Sequence, residues 1–447
     1  MTELLSAADR LDEALASDAL LQASAVLSEM SPREIIAVIE RSSSRRAAVV
    51  FRLLAKDRAL DVFEHLNPTV QGELLHGLQA EDVTALFAEL DPDDRVTLMD
   101  ELPAVVARRL LLGLDPHERA LTNVMLGYPA RSIGRRMSPE FIRVHPEFTV
   151  AQSLELVRDR ARSAETIYTI PVTDAQKRLV GIVSLRDLIA EEPHILISAI
   201  MNRAEYAIAS DDAEEIARRC SEMELLAMPI VDSEIRLIGI LTVDDAHEIL
   251  RDAEEEDMAR AGASEPLRRP YLSSSIFQIA RSRVVWLFVL AISALLTVQV
   301  LGIFEATLEQ KVVLALFIPL LTGTGGNTGS QAATTITRAL AMGEVGPGDV
   351  GKVLLREVRV GTMLGLLLGT VGFTLASLVY DVPTGLVIGT TLLCVCALAA
   401  TVGGAMPLIA KAIRVDPAVF STPFITTFCD ATGLLIYFSL AKLILQI

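Results

Sequence analysis

One carboxylate, Asp430, stands alone in a long apolar stretch, PAVFSTPFITTFCDATGLLIYFSLA. An ionised side chain near the middle of a bilayer costs about 3 kcal/mol or more, so such a residue is rarely kept without a partner or a water-filled path. In a wet path, this carboxylate could bind a cation. The alternative is a protonated Asp430, or one that pairs with a hydroxyl where helices pack. The isolation of the charge favours the cation site.

A second stretch, TGTGGNTGSQAATT, combines glycines with neutral oxygen ligands. Its glycines weaken a helix and predict an irregular, accessible backbone, which survives inside a membrane only where it is buried in protein or lines a wet cavity. The alternative is close packing of a regular helix. Beside a lone carboxylate on another stretch, the ion path is the favoured interpretation. The glycines are Gly323, Gly325, Gly326 and Gly329, and the polar residues include Asn327, Ser330, Gln331 and Thr334.

The ligand chemistry favours a hard divalent cation. Oxygen ligands with one carboxylate suit Mg²⁺ or Ca²⁺, whereas zinc and copper prefer His and Cys. Magnesium sheds water reluctantly and needs few direct ligands, while bare calcium would need several carboxylates. The four cysteines include Cys394 and Cys396 in an apolar stretch, and the six histidines are scattered without zinc-ligand spacing. We therefore expect Mg²⁺.

Charge divides the chain into two unlike parts. Residues 276–447 contain ten Lys and Arg against eight Asp and Glu, which leaves 30 of the 40 basic and 49 of the 57 acidic residues in residues 1–275. The first part thus carries −19 and the second +2. An acidic half repels nucleic-acid phosphates, so we expect no nucleic-acid partner. Its charged N-terminus lacks the apolar core of a signal peptide, so we expect this half in the cytosol.

The nearly neutral part contains five apolar stretches that can cross a hydrocarbon core of about 30 Å. They cover residues 284–304, 311–341, 358–380, 383–410 and 417–445. Pro319 interrupts the second, and Gly361, Gly365 and Gly369 give the third a face for close helix packing. Five spans place the two termini on opposite sides of the membrane.

Basic residues predict the orientation of these spans. Ten of them fall on one side and two, Lys311 and Lys442, on the other, which places the N-terminal half inside and the C-terminus outside. The ten are Arg268, Arg269, Arg281, Arg283, Arg338, Lys352, Arg356, Arg359, Lys411 and Arg414.

The acidic half contains an internal repeat with an offset of 58 residues. IPVTDAQKRLVGIVSLRDLI, from Ile170, aligns with MPIVDSEIRLIGILTVDDAH, from Met228. The arrangement resembles a pair of CBS modules, which sense small ligands. In that family, the residues at Ser184 with Asp187 and Thr242 with Asp245 can hold an adenosine ribose. The favoured alternative is a plain capping box at each helix start.

The first 130 residues are predicted to be helical. Asn67-Pro68, Asp91-Pro92 and Asp115-Pro116 recur every 24 residues, and Ser31-Pro32 is an earlier relative. A polar N-cap followed by proline starts a helix, so the spacing indicates stacked helical hairpins. Between the repeat and the first span, the acidic run at 254–257 opens a linker helix.

The order of these parts resembles the MgtE family of magnesium channels and transporters. The resemblance covers nearly the whole chain and depends most on IPLLTGTGGNTGSQAATTITRALAMGEV and DPAVFSTPFITTFCDATGLLIYF. It implies a multidomain fold: an all-α superhelical N-domain (1–130), an α/β CBS-domain pair (131–200 and 201–252), a connecting plug helix (253–280) and an α-helical transmembrane bundle of five spans (281–447).

The resemblance also implies a homodimer in the lipid bilayer, with a central pore lined by the second and fifth spans. Asp430 would bind hydrated Mg²⁺ there. The carbonyls near Gly323 and Gly326, and the side chains of Asn327, Ser330, Thr334 and Thr426, would lie close by. Regulatory Mg²⁺ would bind between N-domain, CBS pair and plug helix, at Asp91, Asp93, Asp94, Glu214, Glu224, Asp244, Asp245, Glu256 and Asp257. This chain departs from the family at Ser330, where Asn occurs, and at Glu224.

The function predicted is Mg²⁺ uptake through a channel that cytosolic Mg²⁺ closes, in a bacterial inner membrane. No Walker loop appears, so we expect no ATP hydrolysis and no enzyme. One alternative is a transporter for Co²⁺ or Mn²⁺. Another is a membrane-anchored adenine-nucleotide sensor in which the CBS pair binds ATP, but a mere anchor would need neither Asp430 nor the glycine-rich stretch.

Overall fold

The structure, a computed structural model, describes residues 7–17, 19–78, 80–267, 271, 274–413 and 422–446. The chain divides into two compact units, Met1–Ala253 with Arg268–Ser274, and Glu254–Leu267 with Ser275–Ile447. Arg268, Arg269 and Arg414, which entered the prediction of membrane orientation, lie outside the described residues. So do residues 417–421 of the predicted fifth span.

The first unit begins with ten short helices. Four of them begin at the prolines that the sequence pattern predicted, and three of the four N-caps close their helix with a side-chain hydrogen bond; Asp91 is the exception. The helices are α1 (Ala7–Ala16), α2 (Leu20–Glu29), α3 (Pro32–Arg41), α4 (Ser44–Arg52), α5 (Lys56–Glu64), α6 (Pro68–Gly77), α7 (Ala80–Glu89), α8 (Pro92–Glu101), α9 (Ala104–Gly113) and α10 (Pro116–Leu126).

A set of side-chain hydrogen bonds repeats with the same 24-residue period. Four residues after each of the N-caps of α6, α8 and α10, a long polar side chain donates hydrogen bonds to carbonyls at the end of a preceding helix. Such carbonyls have no partner within their own helix. The contacts include Gln71 Nε2 to Phe63 O (2.6 Å), Arg95 Nε to Phe87 O (3.1 Å) and Arg119 Nη2 to Leu114 O (2.7 Å). The repeat therefore carries both a start and a stop signal for its helices.

Arg95 is the buried charged residue among these three side chains. The residue is only 4% exposed, and besides Phe87 O it binds Ala88 O at 3.0 Å and the carboxylate of Glu118 on α10. One side chain thus joins α7, α8 and α10. Around it, a core cluster contains Phe87, Leu90 and Leu98 among its buried members.

The predicted repeat folds as two similar halves. The first contains α11 (Val150–Arg160), β1 (Thr169–Thr173), β2 (Leu179–Ser184) and α12 (Leu185–Ala190), followed by α13 (Ile197–Ile200); the second contains β3 (Ala207–Ile208), α14 (Ala213–Glu222), β4 (Ala227–Val231), β5 (Leu237–Thr242) and α15 (Val243–Ala261). The antiparallel pairs β1–β2 and β4–β5 share one register, since Pro171 faces Ile182 and Pro229 faces Ile240. β3 adds to β4 in parallel.

The two halves exchange their opening segments. Ser138, from the first, forms a two-bond bridge with Ile240 of β5, and Asn202, from the second, does so with Ile182 of β2. Gly239 is required at this crossing, because an added Cβ would lie 2.4 Å from Met137 Sδ. Each repeat is therefore completed by the other.

Within the described residues, the second unit contains five helices that are long and apolar enough to cross a membrane. They are α16 (Ile276–Ile303), α18 (Ile318–Ala341), α19 (Val350–Val379), α20 (Val382–Ala412) and α21 (Thr422–Leu445), with the short α17 (Glu305–Gln310) after α16. A 3₁₀ turn at Val312–Phe317 precedes α18. All five predicted spans therefore correspond to helices.

The expected irregular backbone in the glycine-rich stretch is wrong. α18 runs as a regular helix through all four glycines, and Pro319 lies in its first turn instead of interrupting it. The close-packing alternative is correct for three of the glycines. An added Cβ at Gly325, Gly326 or Gly329 would lie within 3.0 Å of α20 or α21, so these contacts offset the low helix propensity of glycine.

The glycine face of α19 is occupied within the chain. An added Cβ at Gly361, Gly365 or Gly369 would lie 2.6–2.7 Å from the backbone of α20. This face joins α19 to α20, so it is not available to join two copies.

Replacing Arg95 with Met should loosen the helices that it clamps. Removing one partner of a buried ion pair costs about 3 kcal/mol, because Glu118 and two carbonyls lose their donor. We expect amide hydrogens of α7, α8 and α10 to exchange about a hundredfold faster in the full-length protein. The control is Arg108→Met on the exposed face of α9. Equal exchange in the two variants would contradict the clamp.

Candidate functional site

Close packing of α18 against α21 positions the membrane site. An added Cβ at Gly326 would lie 2.6 Å from Thr426 Cγ2, and one at Gly329 would lie 3.0 Å from Cys429 Sγ. One turn further along α18, the hydroxyls of Ser330 and Thr426 share a hydrogen bond of 3.2 Å. Glycines thus bring the two helices together where α21 carries Asp430. Gly326 is buried in this contact, so it lies on the face of α18 that packs against α21. A ligand role for its carbonyl stays a prediction.

Asp430 is half-buried and lacks compensation. Its Oδ1 is buried without a hydrogen-bond partner among the described residues. Among the described residues, no helix-packing hydroxyl satisfies this oxygen, and the protonated form of Asp430 stays an alternative prediction. A buried carboxylate oxygen without a donor is costly, and a hydrated cation or a proton would remove that cost.

A polar stripe runs along the exposed side of α18 next to this packing surface. Asn327, Gln331 and Thr334 are exposed, and an added Cβ at Gly323 would meet nothing within 4 Å. Their spacing of three or four residues places them on one helix face. Lipid cannot satisfy amide and hydroxyl groups, so this stripe must face water or protein. Its neutral oxygens suit a hydrated hard cation.

A second concentration of carboxylates lies in the first unit, in a cleft formed by α5, α6, α8, α15 and the segment at Arg136. Among the described residues, the cleft is lined by five acids and one base. The base, Arg136, donates to Thr97 Oγ1 at 3.2 Å and lies 3.9 Å from Asp252. The acids are Glu64, Asp93, Asp94, Asp245 and Glu248.

The electrostatics of the cleft follow from burial and like charge. Burial, and then repulsion from Asp245, hold the pKa of Asp93 well above its usual range. Burial and repulsion by Glu248 and other acids raise the pKa of Asp94 to about 8, and burial raises that of Asp245 to about 6 although Thr242 donates to it at 2.6 Å. The fully ionised cleft is therefore unfavourable without a counter-ion.

The donor set of the cleft fits a cation that keeps part of its water shell. Oδ1 of Asp93 is buried and lacks a hydrogen-bond partner among the described residues. Within the same ranges, no group of three or more His, Cys, Asp or Glu is arranged to hold one metal ion directly. Carboxylates that are close but not convergent suit Mg²⁺ met partly through water.

Comparison with known proteins places this geometry in a family. The MgtE divalent cation transporter family matches residues 318–440, the MgtE intracellular N domain matches 30–131 and the CBS domain matches 130–193. The magnesium transporter MgtE of Thermus thermophilus is 37% identical over 431 residues, 94% of each chain. The chain belongs to the MgtE family.

Two further relatives of this MgtE-family chain have informative coverage. The magnesium transporter MgtE of Bacillus subtilis is 28% identical over 420 residues, 93% of this chain and 92% of that protein. The crystal structure of the cytosolic domain of the Mg²⁺ channel MgtE in complex with ATP is 35% identical. It covers 54% of this chain and 100% of that chain, with a TM-score of 0.52.

The structure brings some of the predicted regulatory acids together. Asp93, Asp94 and Asp245 line the cleft. Asp91 and Asp244 act on it by charge, since Asp91 contributes to the raised pKa of Asp94 and Asp244 to that of Asp245. Asp91 is available for this role because its side chain, unlike the other N-caps before proline, makes no capping hydrogen bond.

Other predicted regulatory acids lie elsewhere. Glu214 pairs with Arg218 on α14 at 2.8 Å, and Glu224 lies in the exposed turn after that helix with φ +52°; neither lines the cleft. Glu256 and Asp257 belong to the second unit, where Glu256 pairs with Arg260 one helical turn later. Their roles as ligands stay predictions.

Several acids of the cleft region were missed from the sequence. Glu248 could have been found, because it follows Asp245 by three residues on the same face of α15. Glu64 ends α5, and Glu165 lies in the loop before β1, where burial and repulsion from Asp245 raise its pKa to about 7. Neither has a local signal, since only the packing of distant elements brings these two side chains close to Asp245.

The two predicted nucleotide motifs have diverged. Ser184 and Asp187 form a complete capping box at the start of α12, as the favoured interpretation predicted. In the second motif, Thr242 donates to Asp245, whose carboxylate lies in the acidic cleft. The nucleotide role of both pairs stays a prediction.

The raised pKa values predict that alkali destabilises the first unit. Asp94 titrates near 8 in the folded protein, so the folded state binds more protons than the unfolded state between about pH 4 and 8, and stability falls as pH rises through that window. In EDTA, the full-length protein should unfold several degrees lower at pH 8 than at pH 5.5 by scanning calorimetry, at about 2–4 °C per kcal/mol.

Asp94→Asn should flatten this pH dependence, because the carboxamide of Asn does not titrate in this range. The control is Glu191→Gln, at an exposed acid outside the cleft lining, and this variant should keep the wild-type slope. If Asp94→Asn kept the wild-type dependence of stability on pH, Asp94 would not be the source of that dependence.

Proposed function

We propose that this chain transports Mg²⁺ across a membrane along α18 and α21, with Asp430 as the charged residue of the path. The observation that carries the proposal is the buried Oδ1 of Asp430, which lacks a hydrogen-bond partner among the described residues and lies on the helix that packs against the polar-striped α18. A pore for a hydrated dication needs one negative charge and neutral oxygens around it. The names of the relatives support Mg²⁺ as the transported ion.

Permeation would follow from the chemistry of these two helices. The Asp430 carboxylate attracts the dication and accepts hydrogen bonds from its water shell. Asn327, Ser330, Thr334 and Thr426, together with carbonyl oxygens near Gly323 and Gly326, bind that shell from the side. Because Mg²⁺ dehydrates reluctantly, contacts through water let the ion leave again. Movement is down the electrochemical gradient and needs no ATP hydrolysis.

A second copy of the chain would complete the path. In a single chain, the polar stripe of α18 is uncovered, which a bilayer does not tolerate. Two copies related by a two-fold axis would enclose the stripes and place two Asp430 carboxylates around one pore. The glycine face of α19 plays no part in this contact, because α20 already occupies it. The N-terminal half would lie in the cytosol and the C-terminus outside, in a bacterial inner membrane.

The acidic cleft would serve as the sensor that closes the channel. Two carboxylates 4 Å apart at an effective dielectric of about 20 repel by about 4 kcal/mol. Cytosolic Mg²⁺ bound between N-domain and CBS pair would reverse this repulsion, and the plug helix would carry the change to the pore. Transport of Co²⁺ or Mn²⁺ is the alternative, because these ions could use the same oxygen ligands. Comparing the fluxes of Mg²⁺, Co²⁺ and Mn²⁺ into proteoliposomes distinguishes them.

An adenine nucleotide at the CBS pair is the second candidate ligand. A related cytosolic domain was crystallised in complex with ATP, which supports nucleotide binding near Ser184, Asp187, Thr242 and Asp245 in this chain. Because Asp245 would serve both ligands, nucleotide and cation would influence each other's binding. A chain that bound ATP but carried no ion flux would instead be a membrane-anchored nucleotide sensor.

Replacing Asp430 with Asn should remove the charge that attracts the dication. We expect Mg²⁺ flux into proteoliposomes to fall at least about tenfold, because a single charge in a partly buried site contributes more than about 1.4 kcal/mol. Glu309→Gln, an exposed acid on α17, is the charge-matched control. Native mass measurement in detergent should give a dimer for both variants. Wild-type flux through a folded Asp430→Asn dimer would refute the pore assignment.

Closure should require several regulatory ions. At ten times its dissociation constant, a site present only in the closed state contributes about 1.4 kcal/mol, whereas shifting a population from 1:99 to 99:1 takes about 5.5 kcal/mol. Roughly four sites are therefore needed, and open probability should fall steeply with cytosolic Mg²⁺. Neutralising one acid in Asp245→Asn should move this curve to higher Mg²⁺ without abolishing it.

The equivalent change in the other repeat, Asp187→Asn, is the matched control in nucleotide-free buffer, because Asp187 caps α12 and lies outside the cleft. Single-channel recording against cytosolic Mg²⁺ measures both variants. A flat curve in the wild type would refute the sensor, and equal curves for the two variants would refute the assignment of Asp245.

A further inference from the structure

The acidic run at 254–257 does not open a helix as predicted, because it lies inside α15, which starts at Val243. We call residues 254–261, the end of α15, the linker. The chain turns sharply after it. Ser264 N donates to Ala259 O at 3.0 Å, and Ala263 adopts φ +51°, the left-handed conformation that ends many helices. Glycine is the usual residue there, yet Ala263 is held in this conformation and is only 7% exposed. The turn is therefore packed, and it directs the next residues, starting with Glu265, away from the helix.

Glu265 is attached to α16 at two points. Its backbone N–H donates to Ser282 O at 2.9 Å, and its Oε1 accepts a hydrogen bond of 2.9 Å from Trp286 Nε1. Ser282 and Trp286 are four residues apart and lie on one face of α16. Two bonds from one residue to one helical turn fix orientation as well as distance.

Trp286 occupies the position where a signal from the linker could enter the membrane helices. It is the single tryptophan of the chain and lies next to the apolar stretch that begins at residue 284. Indole side chains favour the membrane–water boundary because one edge is polar and the rest apolar. The carboxylate of Glu265 satisfies that polar edge.

The other end of α16 contacts the helix that carries Asp430. At the far end of α16, the ring of Phe304 stacks on that of Phe438 of α21, with centroids 5.0 Å apart. Phe438 also packs with the fully buried Tyr437, whose hydroxyl donates to Leu314 O at 2.9 Å. α16 is thus joined to the linker at one end and to α21 at the other.

We propose that Glu265 is a positioning residue that fastens the end of the α15 linker to the first spanning helix and transmits the state of the linker to α21. The proposal depends on the proposed closure by cytosolic Mg²⁺. Displacing the linker pulls on one turn of α16 through two hydrogen bonds. The rigid helix then carries that displacement to its aromatic contact with α21 and so to the pore.

The test uses the full-length protein in lipid and two measurements. Closing curves come from single-channel recording against cytosolic Mg²⁺. The second readout is the fluorescence of Trp286, which reports the local contact directly because no other tryptophan contributes. Glu265→Ala removes the acceptor, Glu265→Gln keeps an Oε1 acceptor, and Glu309→Ala removes an exposed charge elsewhere.

In Glu265→Ala, we expect closure to need about fivefold more Mg²⁺, which corresponds to the loss of one exposed hydrogen bond worth about 1 kcal/mol. Its Trp286 emission should no longer change when Mg²⁺ is added. Glu265→Gln should restore both readouts, and Glu309→Ala should leave both unchanged. Trp286→Phe should shift the closing curve as Glu265→Ala does, and the double variant should add nothing, because both remove the same bond.

Three outcomes would overturn the proposal. The first is wild-type closure in Glu265→Ala. The second is a defect in Glu265→Gln as large as that in Glu265→Ala, which would assign the effect to charge instead of the hydrogen bond. The third is a wild-type channel that Mg²⁺ does not close. In this last case the proposed gate fails too, and the two failures are distinguished because Trp286 emission would still differ between wild type and Glu265→Ala if the contact exists.

Discussion

The burial of carboxylates is the physical constraint that the two units share. In the cleft of the first unit, burial first, and then repulsion from neighbouring acids, raises the pKa values of Asp94 and Asp245. In the second unit, Asp430 has a buried oxygen without a donor among the described residues. Such groups become favourable only when a proton, water or cation neutralises them. Both units thus contain a place that a divalent cation would stabilise.

Contacts between packed helices keep these charges in position. In the N-terminal helices, the buried Arg95 binds the end of α7 and Glu118, so α8 cannot rotate to move its first-turn acids apart. In the membrane helices, glycines remove the bulk that would separate α18 from α21. In the membrane helices, close packing therefore positions the acid, whereas in the N-terminal helices packing acts together with the buried Arg95–Glu118 ion pair.

The internal repeat contains two copies of the motif with Ser or Thr followed by Asp three residues later, and the two Asp residues lie in different environments. Asp187 caps α12, whereas Asp245, at the same place in the second repeat, lies in the acidic cleft. The repeats also exchange their opening segments, so Met137 packs on Gly239 of the other repeat. A displacement of Asp245 would therefore affect both repeats. Such coupling suits a sensor.

The sequence by itself determined the features that depend on near neighbours in the chain. Hydropathy located the five long helices, N-caps before proline located four helix starts, and the 58-residue offset located the paired hairpins. Tertiary structure alone decided which distant side chains meet. It placed Glu64 and Glu165 near Asp245, left Glu214 with Arg218, and kept α18 helical through its glycines. The reason is physical: local propensities are worth about 1 kcal/mol or less per residue, so contacts between packed elements override them, and the angles at which those elements pack are not encoded in any short stretch of sequence.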